Sequence, residues 1–149
     1  MLHLKIISTF AFIMNNTRFA TVIHILTLLE ESPGEWLSSD SIAGSINIHP
    51  VIVRKELGHL QEQGFVVSRK GKVGGSTLGM PSDKILLSDI YQMLKNSEVL
   101  GKKNMHTNLK CPVGKNINKQ LDLLYSEIDE TVLTALSNRT LKDFVQKFH

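Results

Sequence analysis

The chain has 149 residues, 42% of them hydrophobic and 21% charged, with a formal net charge of +3. That length supports one domain with a real core and is marginal for two, and no apolar run approaches the roughly 20 residues of a membrane-spanning helix. The single cysteine, Cys111, excludes an internal disulfide and every metal site built from several thiolates of one chain, and it suits a reducing cytoplasm.

The first thirteen residues, MLHLKIISTFAFI, have the lysine-then-apolar order of a short secretory signal. Their polar lead is thin, no small-x-small cleavage site follows, and Met14 opens a helical pattern, so residues 1–13 are expected to be an N-terminal extension. From Thr17 to Glu31, Phe19, Val22, Ile23, Leu26 and Leu29 recur at helical spacing, and SPGE stops this helix. Ser39 is read as the N-cap of a short second helix whose Ile42, Ala43 and Ile46 point inward and which Asn47 ends. The third helix starts at HPVIVRKEL, with Pro50 in the first helical position, where its missing N–H costs nothing. Val53, Leu57 and Leu60 mark its buried face, and Gly64 closes it as a left-handed residue.

The period then changes to that of a strand through Phe65, Val66 and Val67, with a return strand near Ser76 to Leu78. Between them SRKGKVGGSTL combines three cations with three glycines. Two short helices joined by a tight turn, followed by a hairpin, have the order of a winged helix-turn-helix. ILLSDIYQML predicts a further helix capped at Ser88, and a lysine-rich loop follows it. A long helix is expected from about Pro112 to Ser137, with Ile117, Leu121, Leu124, Ile128, Val132 and Ala135 spaced as a coiled-coil-like seam. A face of that length seldom finds cover on so small a domain, so dimerisation is the expected use. TLKDFVQKF, capped by Thr140, ends the chain as a short helix. The expected architecture is mainly α with a small β-hairpin wing. Its parts are the extension (1–13), the winged helix-turn-helix (14–80), a linking helix with a sensor loop (81–111), and a dimerisation helix with the C-terminal helix (112–149).

Charge is concentrated in two stretches. Residues 50–80 hold five cations against Glu56 and Glu62, and residues 101–119 hold five lysines and no acid. Outside the buried stripe of the third helix stand Val51, Arg54 and Lys55, with His49 at its cap. An N-terminal turn entering a major groove would bring Arg54 to a guanine edge, Lys55 to a phosphate or base, and Val51 to a thymine methyl. The bland alternative is a solvated helix with two surface cations. In the hairpin, Gly71, Gly74 and Gly75 let the backbone approach a groove, while Arg69, Lys70 and Lys72 neutralise phosphates or enter the minor groove. The bland alternative there is a surface hairpin with a floppy tip. The coupling of hairpin and helix favours DNA, and Ser39 joins the DNA-facing set.

The run SDSIAGSINIHPVIVRKELGHLQEQGFVVSRKGKVGGSTL, the ILLSDIYQML after it, and a cysteine ahead of a long helix followed by RTLKDFV resemble the Rrf2 family of bacterial winged helix-turn-helix regulators over nearly everything after Met14. The resemblance implies a homodimer that binds a palindromic operator in double-stranded DNA, mostly as a repressor. It implies that Pro50 to Lys55 read the major groove and Gly71 to Gly75 the minor groove. The chain departs from the family at the sensor. Cluster-binding members carry three cysteines ahead of the long helix, and some a histidine three residues after the last. Here KCPVG keeps one cysteine, Cys111, with Gly114 in the histidine's place, so a four-ligand iron–sulfur cluster is not expected and the chain looks like a cluster-free branch with no cofactor.

Cys111 precedes Pro112 at the start of the long helix, near Lys110 and Lys115. Helix N-terminus and cations both favour thiolate, so Cys111 is a candidate redox or electrophile sensor; the alternative is a small packing residue. The six histidines form no metal signature, and no nucleotide loop, paired carboxylates or Ser/His/Asp set can be placed. The expectation is a cytoplasmic, dimeric DNA-binding transcriptional regulator without enzymatic activity, in which events at residues 101–111 alter the spacing of the two wings. A rival is a winged-helix protein-interaction module or a regulator dependent on a partner protein. An enzyme using Cys111 as nucleophile would lack a base.

Overall fold

The computed structural model describes residues 2–95 and 100–149, and side chains from Thr17 onward. Residue 1 and the start of the expected sensor-loop region, residues 96–99, lie outside the described residues. The elements in chain order are α1 (Leu2–Glu31), α2 (Ser39–Ile46), α3 (Pro50–Glu62), β1 (Val66–Arg69), β2 (Gly75–Leu78), a 3-10 turn (Ser82–Lys84), α4 (Leu87–Leu94), α5 (Pro112–Ser137), α6 (Leu141–Val145) and a second 3-10 turn (Gln146–Phe148). The helix expected from Met14 reaches back to Leu2, because no proline or glycine interrupts residues 1–32. Two compact units result: Met1–Leu86 with Thr140–His149, and Leu87–Arg139. The C-terminal helix thus groups with α1, not with the long helix as its place in the sequence suggested.

In the first unit the core is built from Val22, Ile25, Leu26 and Leu29 of α1, Ile42 and Ala43 of α2, Val53, Leu57 and Leu60 of α3, Val66 of β1, then Ile85, Leu141 and Val145. Phe19, expected in the α1 stripe, stands at its exposed margin, and Ile46 is half-buried. The α2 cap is Ser38, whose side chain accepts from the Ser41 N–H, so Ser39 is the first helical residue and not the cap. Asn47 takes the left-handed conformation at the other end. Thr140 and Asp143 form a reciprocal capping box on α6, and the hydrogen bonds from Thr140 hold the Asp143 carboxyl below the usual carboxylate range.

In the second unit α4 starts at Leu87, leaving Ser88 inside the helix and buried, not at its cap. The buried positions of α5 are Tyr125 and Asp129. Asp129 takes Lys95 Nζ at 2.8 Å and the Tyr91 hydroxyl at 3.2 Å. Burial first, and then the Asp129 charge, raise the Tyr91 pKa, so its hydroxyl remains a donor.

Gly64 ends α3. Its φ is +80°, and its N–H donates to Gln61 O while that of Phe65 donates to Leu60 O, both at 3.0 Å. This double closure needs a left-handed residue between helix and strand. A Cβ at Gly64 would meet only the Met80 side chain, at 3.9 Å, so the penalty of a side chain there is one of backbone conformation. Gly64→Ala is expected to lower unfolding free energy by about 1–2 kcal/mol, as read from the urea midpoint at unchanged slope.

Candidate nucleic-acid interface

The helix-turn-helix is α2 and α3, and its outward residues come from the first turns of α3. His49 caps the helix, its Nδ1 accepting from the Val51 N–H at 3.2 Å. That cap and Pro50 leave Val51, Arg54 and Lys55 exposed, Val51 by 57%. Arg54 is held from α2: its Nε donates to Ser39 Oγ at 3.1 Å, and its guanidinium lies 3.6 Å from Asp40 Oδ1. Ser39 therefore orients Arg54. Both Arg54 and Asp40 remain largely solvated, so the pair adds little stability while limiting the directions Arg54 can take.

The hairpin pairs Val66 with Leu78, Val67 with Thr77, Ser68 with Ser76 and Arg69 with Gly75. Its tip is a tied turn. The Gly74 N–H donates to Gly71 O at 3.0 Å, and the Arg69 Nε donates to Val73 O at 2.9 Å. The Arg69 guanidinium also lies over the Trp36 ring, 4.2 Å from its centre, an arrangement that favours a cation over the indole face. Arg69 thus ties the turn to the α1–α2 connection. Lys70 and Lys72 are exposed beside Val73, which is 77% exposed.

Gly75 is where the hairpin meets the α1–α2 connection. Leu37 and Ser76 exchange backbone hydrogen bonds of 3.0 and 2.8 Å, and a Cβ on Gly75 would lie 2.6 Å from Leu37 O. Sequence reasoning missed Trp36 and Asp40, whose signals lie far from the residues they hold, and Val73. An apolar side chain directly after Lys72 at the tip was the one cue available.

A winged helix-turn-helix with a cationic reading helix and a cationic hairpin defines a DNA-binding protein. The profile of the Rrf2 family, described as iron-dependent transcriptional regulators, matches residues 15–147. The candidate HTH-type transcriptional regulator YwnA of Bacillus subtilis (strain 168) is 37% identical over 130 residues, covering 87% of this chain and 96% of YwnA. Among solved structures, a candidate transcriptional regulator from Lactobacillus plantarum superposes with a TM-score of 0.74 at 21% identity, covering 89% of each chain. CymR, the global cysteine regulator of B. subtilis, does so with a TM-score of 0.64 at 23% identity over 88% of this chain and 95% of CymR. Those two likenesses concern the fold. The family match and the similarity to YwnA show that this chain belongs to the Rrf2 family, whose members are DNA-binding transcriptional regulators and not enzymes.

The family's description raises a metal requirement that this donor set does not fit. Cys111 is the one thiol of the chain, against the four ligands of a cluster. Among the described residues no group of three or more His, Cys, Asp or Glu side chains could hold a metal ion. Any side chain at Gly114 would collide with the Asn108 carbonyl, which leaves no room for the histidine of the cluster-binding pattern. Instead residues 104–111 lie along the start of α5: Asn118 Nδ2 donates to Asn104 O at 2.9 Å and Thr107 Oγ1 to Gly114 O at 2.5 Å. Cys111 caps α5 without a side-chain hydrogen bond and is exposed.

Gly75→Ala is expected to separate the wing from the α1–α2 connection. Faster amide exchange at Leu37 and Ser76, with the α3 amides still protected, is the result that checks it.

Proposed function

We propose that the chain is a cytoplasmic homodimeric repressor that reads a palindromic operator in double-stranded DNA. In this reading Val51, Arg54 and Lys55 enter the major groove from α3, beginning at His49 and Pro50, while Ser39 steadies Arg54. Lys70 and Lys72 engage the backbone or the minor groove, with Gly71, Gly74 and Gly75 giving the turn its close approach and Arg69 bracing it from behind. The observation that carries the reading is the tether of Arg54: a side chain aimed at a guanine edge gains most from being limited in direction before it binds.

Dimerisation through α5 is supported by its uncovered seam. Leu124 is 45% exposed, and Ile117, Leu121, Ile128 and Val132 are half-exposed. Such a stripe fits a second copy of the same helix. Two reading helices about one DNA turn apart then match the two-fold symmetry of a palindrome. The signal proposed is oxidation or alkylation of Cys111, supported by the exposed thiol at a helix N-terminus and by lysines on either side of it.

Operator binding followed by fluorescence anisotropy at several salt concentrations tests the reading. Arg54→Ala is expected to cost about 1–3 kcal/mol on the operator and little on random duplex, while Lys72→Ala weakens both and lowers the log–log salt slope by about 1. Equal losses on operator and random DNA for Arg54→Ala would remove its role in base reading. Alkylation of Cys111 with iodoacetamide is expected to weaken operator binding at least about fivefold, and unchanged affinity would end the sensor proposal.

A further inference from the structure

The middle of α3 carries a carboxylate that faces inward. Glu56 is 2% exposed. Arg18 of α1 donates its Nε–H to Glu56 Oε1 at 2.8 Å, and the other oxygen, Glu56 Oε2, is buried without a hydrogen-bond partner. The Nδ1 of His59, one turn further along α3, lies 2.6 Å from the second Arg18 nitrogen and 3.5 Å from Glu56 Oε2. A guanidinium only donates, so at this distance Nδ1 accepts and the ring is neutral with its proton on Nε2. Arg18 thus joins α1 to the DNA-reading helix twice, and the second link ends on a ring nitrogen with two available partners.

We propose that Arg18, Glu56 and His59 form a proton-dependent clasp that positions the reading helix. With His59 neutral, Nδ1 accepts from Arg18 and ties α3 to α1. A proton taken from solvent onto Nδ1 ends that bond, places two cations against each other, and supplies the N–H donor that Glu56 Oε2 lacks. His59 then exchanges a partner on α1 for one on its own helix, and α3 loses a tie that fixes its rotation over DNA. Imidazole is a side chain that both accepts and donates hydrogen bonds depending on its protons.

Among the described residues, other titratable groups on the packed elements are engaged elsewhere or solvated. On α1, His24 Nε2 contacts Ser45 Oγ at 3.4 Å. On α2, Asp40 faces Arg54, and on β1, Arg69 lies over Trp36. Lys55 and Glu62 of α3 are exposed.

The proposal rests on DNA reading by α3, and its test separates the two. The ratio of operator affinity to random-duplex affinity is measured at pH 8 and pH 6 for the wild-type protein and for His59→Gln, whose amide oxygen can accept from Arg18 but does not titrate. Circular dichroism at both pH values confines the comparison to folded protein. The expected result is a ratio that falls at least about fivefold on acidification in the wild type and less than about twofold in His59→Gln. Equal pH dependence in the two proteins overturns the clasp while leaving DNA reading in place. A ratio near one at both pH values for both proteins overturns DNA reading itself, and the clasp with it.

Discussion

The consecutive residues Trp36, Leu37, Ser38 and Ser39 hold the hairpin, α2 and the first turns of α3 together. Leu37 and Ser76 exchange two backbone hydrogen bonds, which fix the start of β2, next to the turn, against the connection between α1 and α2. Trp36 lies under the Arg69 guanidinium, and Arg69 in turn grips the Val73 carbonyl at the tip. Ser38 caps α2, and Ser39 holds Arg54 on α3. These four consecutive residues therefore set the hairpin, start the first helix of the helix-turn-helix and limit the directions of Arg54. The absence of a side chain at Gly75 is what allows the two backbones to come so close.

Each unit holds a buried carboxylate beside a cation, as low dielectric demands. In the first, Glu56 sits on the buried face of α3 against Arg18; in the second, Asp129 sits on α5 between Lys95 and Tyr91. The α3 helix thus presents cations outward and a carboxylate inward. Burying a charge makes its geometry sensitive to the loss of one partner, which is why a neighbouring histidine matters more there than on a solvated surface.

Much of the fold is legible in the sequence because the signals are local. Val53, Leu57 and Leu60 lie at helical spacing and are buried, His49 and Pro50 begin α3, Gly64 ends it, and Pro112 begins a helix that runs to Ser137. Neighbouring serines could both cap α2, and only the chain direction at Ser38 decides between them. The remaining features depend on residues far apart in sequence. Glu56 reads as a solvated acid until Arg18, 38 residues earlier, is seen beside it. The contact of Arg69 with Trp36 and the packing of α6 on α1 likewise join residues far apart in the chain. Periodicity reports which face of a helix is buried, but not which distant partner covers it.

The account's central claim, that α3 and the wing read a defined DNA sequence, is tested most directly by incubating the purified protein with sheared genomic DNA and sequencing what it retains. The prediction is a single inverted repeat, with half-sites about one helical turn apart, enriched by the wild-type protein and lost with Arg54→Ala. Retention without any shared sequence, or enrichment unchanged by Arg54→Ala, would contradict it.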